Sequence, residues 1–254
     1  MAERPALATR ALTRHFGGLT AVRDVSIECR TGAVHAVIGP NGAGKSTLIN
    51  MLSGELAPSA GAIEIDGADV TGLRPQRMSR LGVGRSYQKT NVFLPFTAIE
   101  NCRIAAQARL AGSMRFVRPA LANRAVNEAA ERALAAAGLE TRAQTPVAAL
   151  SHGEQRQVEI AMVLATSPRV LLLDEPLAGM GAEESARIVA LLRRLAPDHA
   201  VLLVEHDMDA VFAVAHRLTV MVNGAVLESG SPEAIRASRA VREAYLGTAE
   251  PVHG

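Results

Sequence analysis

The stretch GPNGAGKS fills positions 39–46 and fits G-x-x-x-x-G-K-S at every place. It follows GAVHAVIG, where Val34, Ala36 and Ile38 alternate as in a strand. It runs into KSTLINMLSG, a helical pattern that Gly54 and Pro58 bring to an end. A glycine-rich turn between a strand and a helix is built to cradle phosphate. Gly39, Gly42 and Gly44 let backbone amides close around phosphate oxygens, with Asn41 inside the turn and Thr47 just beyond it. The helix adds its positive end. Lys45 brings a mobile charge to the β- and γ-phosphates, and Ser46 offers a hydroxyl to Mg²⁺.

Working outward, RVLLLDEP is a short apolar run of the kind found in a buried parallel strand. Its last residues place Asp174 at the carboxyl end of that strand, where an α/β sheet binds ligands. Asp174 can organise Mg²⁺, and the adjacent Glu175 can orient and deprotonate a water attacking the γ-phosphate. EESARIVALLRRLA reads as the next helix and AVLLVEHD as a further buried strand ending near His206. LTRHFGGLTAVRDVSIE reads as edge strands around a turn, and GAIEIDGADVTG as a hairpin turning at Asp66-Gly67. A last hairpin turns at Asn223-Gly224, followed by one terminal helix over PEAIRASRAVREAYLG. Between about 99 and 166 the chain becomes rich in Ala and Arg, with helical stretches such as ANRAVNEAAERALAAAGL. There LSHGEQRQVEIA opens a helix, with Ser151 and Glu154 at the spacing of a capping box. The whole pattern predicts an α/β fold with a mostly parallel sheet and an inserted helical lobe.

Composition narrows the class. Of 254 residues, 48% are hydrophobic and 20% charged, as in a globular protein with a sizeable core. Lys+Arg number 27 against 25 Asp+Glu, a balance of +2 without a basic block, which argues against nucleic acid as a partner. Cys29 and Cys102 have no metal-binding spacing and read as reduced packing residues of a cytosolic protein. The N-terminus lacks a signal-peptide core, and no apolar run approaches the ~20 residues of a membrane helix. A membrane role is therefore expected to come through a partner.

In this order GPNGAGKS, LSHGEQRQVEIA, VLLLDEP and VEHD resemble the ATP-binding subunits of ABC transporters over nearly the whole chain. The phosphate loop alone would admit kinases, GTPases and helicases; the LSHGE segment upstream of LLLDEP narrows the class. The resemblance implies one ABC-type nucleotide-binding domain over residues 1–254, a P-loop NTPase. It would have an antiparallel β subdomain beside a RecA-like core and a helical lobe over about 92–165. It implies ATP and Mg²⁺ as cofactors, held between two subunits that close face to face. Ser151 and the backbone at Gly153 would then touch the partner's γ-phosphate. Glu175 resembles the catalytic base, His206 the histidine that senses the γ-phosphate, and Gln88 in GRSYQKTNVF the glutamine linking the Mg²⁺ site to the helical lobe. Ser46, Gln88 and Asp174 would form the metal site. Phe16 in RHFGG matches the aromatic that stacks on adenine, with a core aromatic at the sheet edge as its alternative. The surface of the Gln88 loop and helical lobe would receive a helix of a membrane permease.

The wording RSYQKTNVF, LSHGEQRQVEIAM, LDEPLAGMG, VEHDMDAVF and VREAYLG is similar to the longer ATPase subunit of branched-chain amino acid uptake systems. The stretch RLAGSMRFVRPALANRAV resembles the longer lobe loop of that group. This implies a hydrolase at the inner face of the bacterial plasma membrane, served indirectly by a periplasmic binding protein. A urea or amide importer and a lipopolysaccharide-type exporter share much of the wording and stay open. Two departures stand out. His152 replaces the first glycine of the usual signature, so position 152 is expected to be helical or extended. LAGMGAEE lacks the acidic or Asn residue that many members carry near Gly181.

Overall fold

Three apolar runs become adjacent strands buried on both faces. They are β4 (Ala33–Ile38), β8 (Val170–Asp174) and β9 (Ala200–Val204). The computed structural model describes residues 4–88, 90–110 and 123–246. Before β4 come β1 (Leu7–Phe16), β2 (Leu19–Val25) and β3 (Glu28–Cys29). After it follow α1 (Lys45–Leu52), β5 (Ala60–Ile65), β6 (Ala68–Asp69), α2 (Pro75–Arg80) and β7 (Val83–Arg85). Next are α3 (Ala98–Leu110), α4 (Arg124–Ala137) and α5 (His152–Ala165), then β8, α6 (Ala182–Leu195) and β9. The chain continues with α7 (Met208–Val214), β10 (Arg217–Val222), β11 (Ala225–Gly230), α8 (Pro232–Ala237) and α9 (Arg239–Leu246).

The strands form two sheets. One has the order β11-β10-β4-β9-β8-β7 and is parallel except for the β10–β11 hairpin. The other is antiparallel, in the order β2-β1-β5-β6 with β3 beside β1. The period of two along each buried strand sorts its side chains between two cores. Val34, Ala36, Ile38, Leu171, Leu173, Val201 and Leu203 face a core shared with α4, α5 and α6. Val37, Val170, Leu172, Leu202 and Val204 face a second core with α1 and the antiparallel sheet. Burial on both sides is why these runs show no polar face. The helices α3, α4 and α5 pack on one another. Among the described residues no helix is long and apolar enough to cross a membrane.

Three details differ from the sequence reading. The strand β1 is interior to its sheet, not an edge, because it pairs with both β2 and β5. Its register shifts around Ala11, whose φ is 45°, and the bulge hides the alternation an interior strand would show. The terminal helix is split in two. Ser238 is extended between α8 and α9, accepts the Val241 N–H, and donates its hydroxyl to Glu228 on β11, so it starts a new helix. The short α2 and β7 carry too few residues to show a period. Of the lobe stretch over 109–126, positions 111–122 lie outside the described residues.

Both cysteines are buried in packing positions, Cys29 on β3 and Cys102 on α3. Burial pushes each thiol up to about 12. At pH 8, far below that value, both are protonated and shielded. Native protein is expected to leave both of its cysteines unreacted with a thiol reagent such as Ellman's, and to release both on denaturation. Thiol titration with and without denaturant checks this.

Candidate active site

The phosphate loop is shaped by backbone that side chains would obstruct. Gly39 has φ 152°, and a Cβ there would lie 2.1 Å from the Met221 carbonyl oxygen. Gly44 has φ 96°, and a Cβ there would lie 2.4 Å from the Ala21 carbonyl oxygen. Gly44 is also the N-cap of α1, with no side-chain cap and no acidic residue in the first turn. The helix therefore presents its positive end with no anion of its own. Lys45 folds back onto the loop, donating to the carbonyls of Gly39 (2.6 Å) and Pro40 (3.0 Å). Burial holds its ammonium below the ordinary lysine range, against the pull of Glu175 and Asp174.

An open cleft of about 690 Å³ lies over this loop, lined by residues 41–47 together with Gln88 and Glu175. Glu175 follows β8 in the left-handed region at φ 47°, a sparsely populated conformation for a non-glycine residue. Its amide donates to the Val204 carbonyl at 2.8 Å. Gln88 Nε2 donates to Glu175 Oε2 at 2.8 Å, and His206 Nδ1 stands 3.9 Å from Glu175 Oε1. Asp174 ends β8 with Arg85 3.3 Å from Oδ2. Burial raises the Asp174 carboxyl, and the Arg85 guanidinium draws it back down. The loop, Gln88, the adjacent Asp174 and Glu175, and His206 are thus brought to one sheet edge from four separate stretches of chain. Ser46, Gln88 and Asp174 offer oxygen donors. Among the described residues no group of three His, Cys, Asp or Glu could hold a metal alone. That donor set fits a hard cation carried mostly by phosphate and water, as Mg²⁺ is.

Two expected site residues, Ser151 and Gly153, stand apart from this cleft, and a third, Phe16, lies at its margin, paired with Leu19, which lines it. Phe16 is exposed at the end of β1 with the Arg14 guanidinium over its ring at 4.6 Å. It is neither in the core nor among the cleft-lining residues. Ser151 and Gly153 begin α5 and do not line the cleft either. The capping box is present: the Glu154 N–H donates to Ser151 Oγ (3.2 Å), and the Ser151 N–H to Glu154 Oε2 (2.9 Å). His152 is the first residue of α5, so the departure from glycine sits in ordinary helical backbone.

Two residues that the sequence reading passed over hold the site together. Arg156 is 1% exposed and donates to the carbonyls of Tyr87 (2.5 Å), Gln88 (3.1 Å), Glu175 (2.9 Å) and Pro176 (3.2 Å). It also pairs with Glu159 (2.5 Å), whose other oxygen accepts the Tyr87 N–H at 3.0 Å. An Arg and a Glu three apart in QRQVEIA, interleaved with the apolar Val158, Ile160 and Ala161, were the available signal. Glu205, fully buried, accepts the N–H of Leu177 (2.8 Å) and of His206 (3.0 Å). Burial pushes its carboxyl up while these amides pull it down.

A phosphate loop opening onto the carboxyl edge of a parallel sheet, with carboxylates at the end of β8, two strands away across β9, defines a P-loop nucleotide-binding domain. Residues 22–178 match the ABC transporter family model, and residues 225–251 match the model for branched-chain amino acid ATP-binding cassette transporters. The chain belongs to the ABC transporter ATP-binding family and is an ATPase of that family. It is 39% identical to the high-affinity branched-chain amino acid transport ATP-binding protein BraF of Pseudomonas aeruginosa, over 97% of this chain and 99% of that one. It is 37% identical to LivG of Escherichia coli K12 at the same coverage. A crystal structure of the ADP conformation of an ATP-binding cassette of an ABC transporter superposes with a TM-score of 0.84. That chain is 27% identical, and the match covers 96% of this chain and 99% of that one. The matched fold is the ABC-type domain anticipated from the four motifs.

Removing the Glu175 charge is expected to leave nucleotide binding intact and to slow hydrolysis by about 10²-fold or more. Nucleotide binding and phosphate release measured on Glu175→Gln check both halves. Arg156→Met would strand the buried Glu159 and four carbonyls. It is expected to cost about 3–5 kcal/mol in urea unfolding and to lower turnover with it.

Proposed function

We propose that the chain is the ATP-hydrolysing subunit that energises import of branched-chain or related amino acids through a membrane permease. The observation that supports this reading is that the candidate residues fall into two separate groups. Lys45, Gln88 and Glu175 meet at one cleft, while Ser151 and Gly153 lie away from it. Two subunits facing each other would bring the second half to the first, with ATP between them. Lys45 would exchange the Gly39 and Pro40 carbonyls for phosphate oxygens, and the bare amides of the loop would take the rest of the charge. Glu175, oriented by Gln88, would receive the proton of the attacking water, and His206, 3.9 Å from Glu175, would read the γ-phosphate. Closure would exclude other water. Mg²⁺, held by Ser46, Gln88 and Asp174, would neutralise charge on the phosphates. Phe16 would stack on adenine once Arg14 gives up its ring.

The helical lobe, taken as about 92–165, supplies the docking face. A groove of about 270 Å³ runs between β7 and α5, lined by Glu55, Arg85, Tyr87, Ala105, Met162 and Val163. Exposed Phe93 and Phe96 stack on one another at 5.7 Å between ring centroids, in the segment that follows the groove-lining Asn91. An amphipathic permease helix fits such a surface. The subunit would then work on the inner face of the plasma membrane, with a periplasmic binding protein delivering solute across the other side. The amino acid assignment is supported by similarity to BraF and LivG along nearly the full chain.

A strain lacking this chain is expected to lose high-affinity uptake of labelled leucine or valine, and a plasmid copy to restore it. Unchanged leucine and valine uptake alongside lost urea uptake, or alongside defective lipopolysaccharide export, would assign it to one of those systems instead.

A further inference from the structure

The N-terminus of α5 already has an anion on it. Glu184, in the first turn of α6, accepts the Gly153 N–H on Oε1 at 3.0 Å. Its side chain lies flat over that glycine: a Cβ at 153 would meet Glu184 Oε1 at 2.9 Å, Cδ at 3.0 Å and Cγ at 3.1 Å. Gly153 is consequently buried, although Ser151 and His152 just before it are exposed. The same carboxylate is held below its usual range, first by the Gly153 N–H and further by the Ser151 hydroxyl and the Gly181 N–H. One charge thus serves the starts of both α5 and α6. Arg187, 3.9 Å away, is a loose counterion, and the Glu184 side chain remains 23% exposed.

These are the groups to which the proposed function assigns a phosphate of the nucleotide on a second subunit. A carboxylate and a phosphate oxygen make the same demand on an N–H and on a helix N-terminus, so both cannot be satisfied there. We propose that Glu184 sets the affinity of the composite nucleotide site by occupying the phosphate seat of α5 in the separate subunit. The γ-phosphate must displace it before Gly153 can donate across the interface. Displacement costs the charged hydrogen bond to Gly153 and returns Glu184 to solvent beside Arg187. The closed pair is therefore weakened relative to a subunit with a bare seat, and the nucleotide-free subunit is kept from presenting an open anion site. The inference rests on reading Ser151 and Gly153 as that seat.

The test uses full-length protein carrying Glu175→Gln, so that bound ATP persists, and measures Mg-ATP-dependent dimerisation by sedimentation. Adding Glu184→Gln is expected to tighten the dimer by about ten-fold or more, which is about 1.4 kcal/mol or more. In the nucleotide-free monomer it is expected to speed hydrogen exchange at the Gly153 amide and to lower the melting temperature slightly, since two helices lose an anion. Ser151→Ala, on the same background, is expected to weaken the dimer. If Ser151→Ala weakens it while Glu184→Gln leaves it unchanged or weaker, the carboxylate is only a helix cap and the inference is overturned. If neither changes dimerisation, the seat itself has been misread and the proposed function loses its second half-site.

Discussion

A single buried guanidinium holds the catalytic edge in shape. Arg156 projects from α5 into the space between the Gln88 loop and the end of β8, and binds four carbonyl oxygens and one carboxylate there. A buried cation is tolerated only when its donors are satisfied, and Arg has enough of them, in a planar fork, to bind several chain segments at once. Glu159 supplies the compensating charge and takes the Tyr87 amide with its second oxygen. The backbone on either side of Gln88 and Glu175 is therefore tied to the same helix that begins at Ser151. The groove residue Tyr87 on one side and Glu175 on the other are thus tied to α5 by hydrogen bonds that are costly to break.

Two helix starts face opposite fates in this molecule. The first turn of α1 carries no cap and no acid, so its amides wait for a ligand. The first turn of α5 is over-supplied: Ser151 and Glu154 cap it reciprocally, and Glu184 covers Gly153 from α6. The same elementary field, positive at a helix N-terminus, is left open in one place and filled in the other. The two starts thus differ in whether an anion is already supplied by the chain itself. Under the proposed function, nucleotide would bind first where the charge is bare, and the second contact would be made by exchange of anions.

Strain and burial are concentrated near the chemistry. Glu175 sits at φ 47°, and the neighbouring carboxylates Asp174 and Glu205 are desolvated enough to be pushed up. Each is compensated locally, Asp174 by Arg85 and Glu205 by backbone amides. Such positions persist because two full cores, one on each face of the parallel sheet, over-determine the backbone that carries them.

Much of the fold was legible from local pattern. The strand, glycine loop and helix at 33–52, the buried runs at 170–174 and 200–204, and the turns at Asp66-Gly67 and Asn223-Gly224 each carry their signal within a few residues. So do the phosphate loop, the Asp174-Glu175 pair and the cap at Ser151, because phosphate chemistry and helix capping depend on adjacent atoms. The interior place of β1, the break at Ser238 and the roles of Arg156, Glu184 and Glu205 were not legible. Each is decided by a partner far along the chain: β5 for β1, Glu228 for Ser238, Tyr87 for Arg156, Gly153 for Glu184 and Leu177 for Glu205. Local propensity and short motifs thus determine which groups this protein has to handle a nucleotide. Only the tertiary structure decides which of those groups are already engaged, because a buried charge must be answered by whatever donor or acceptor the fold brings against it.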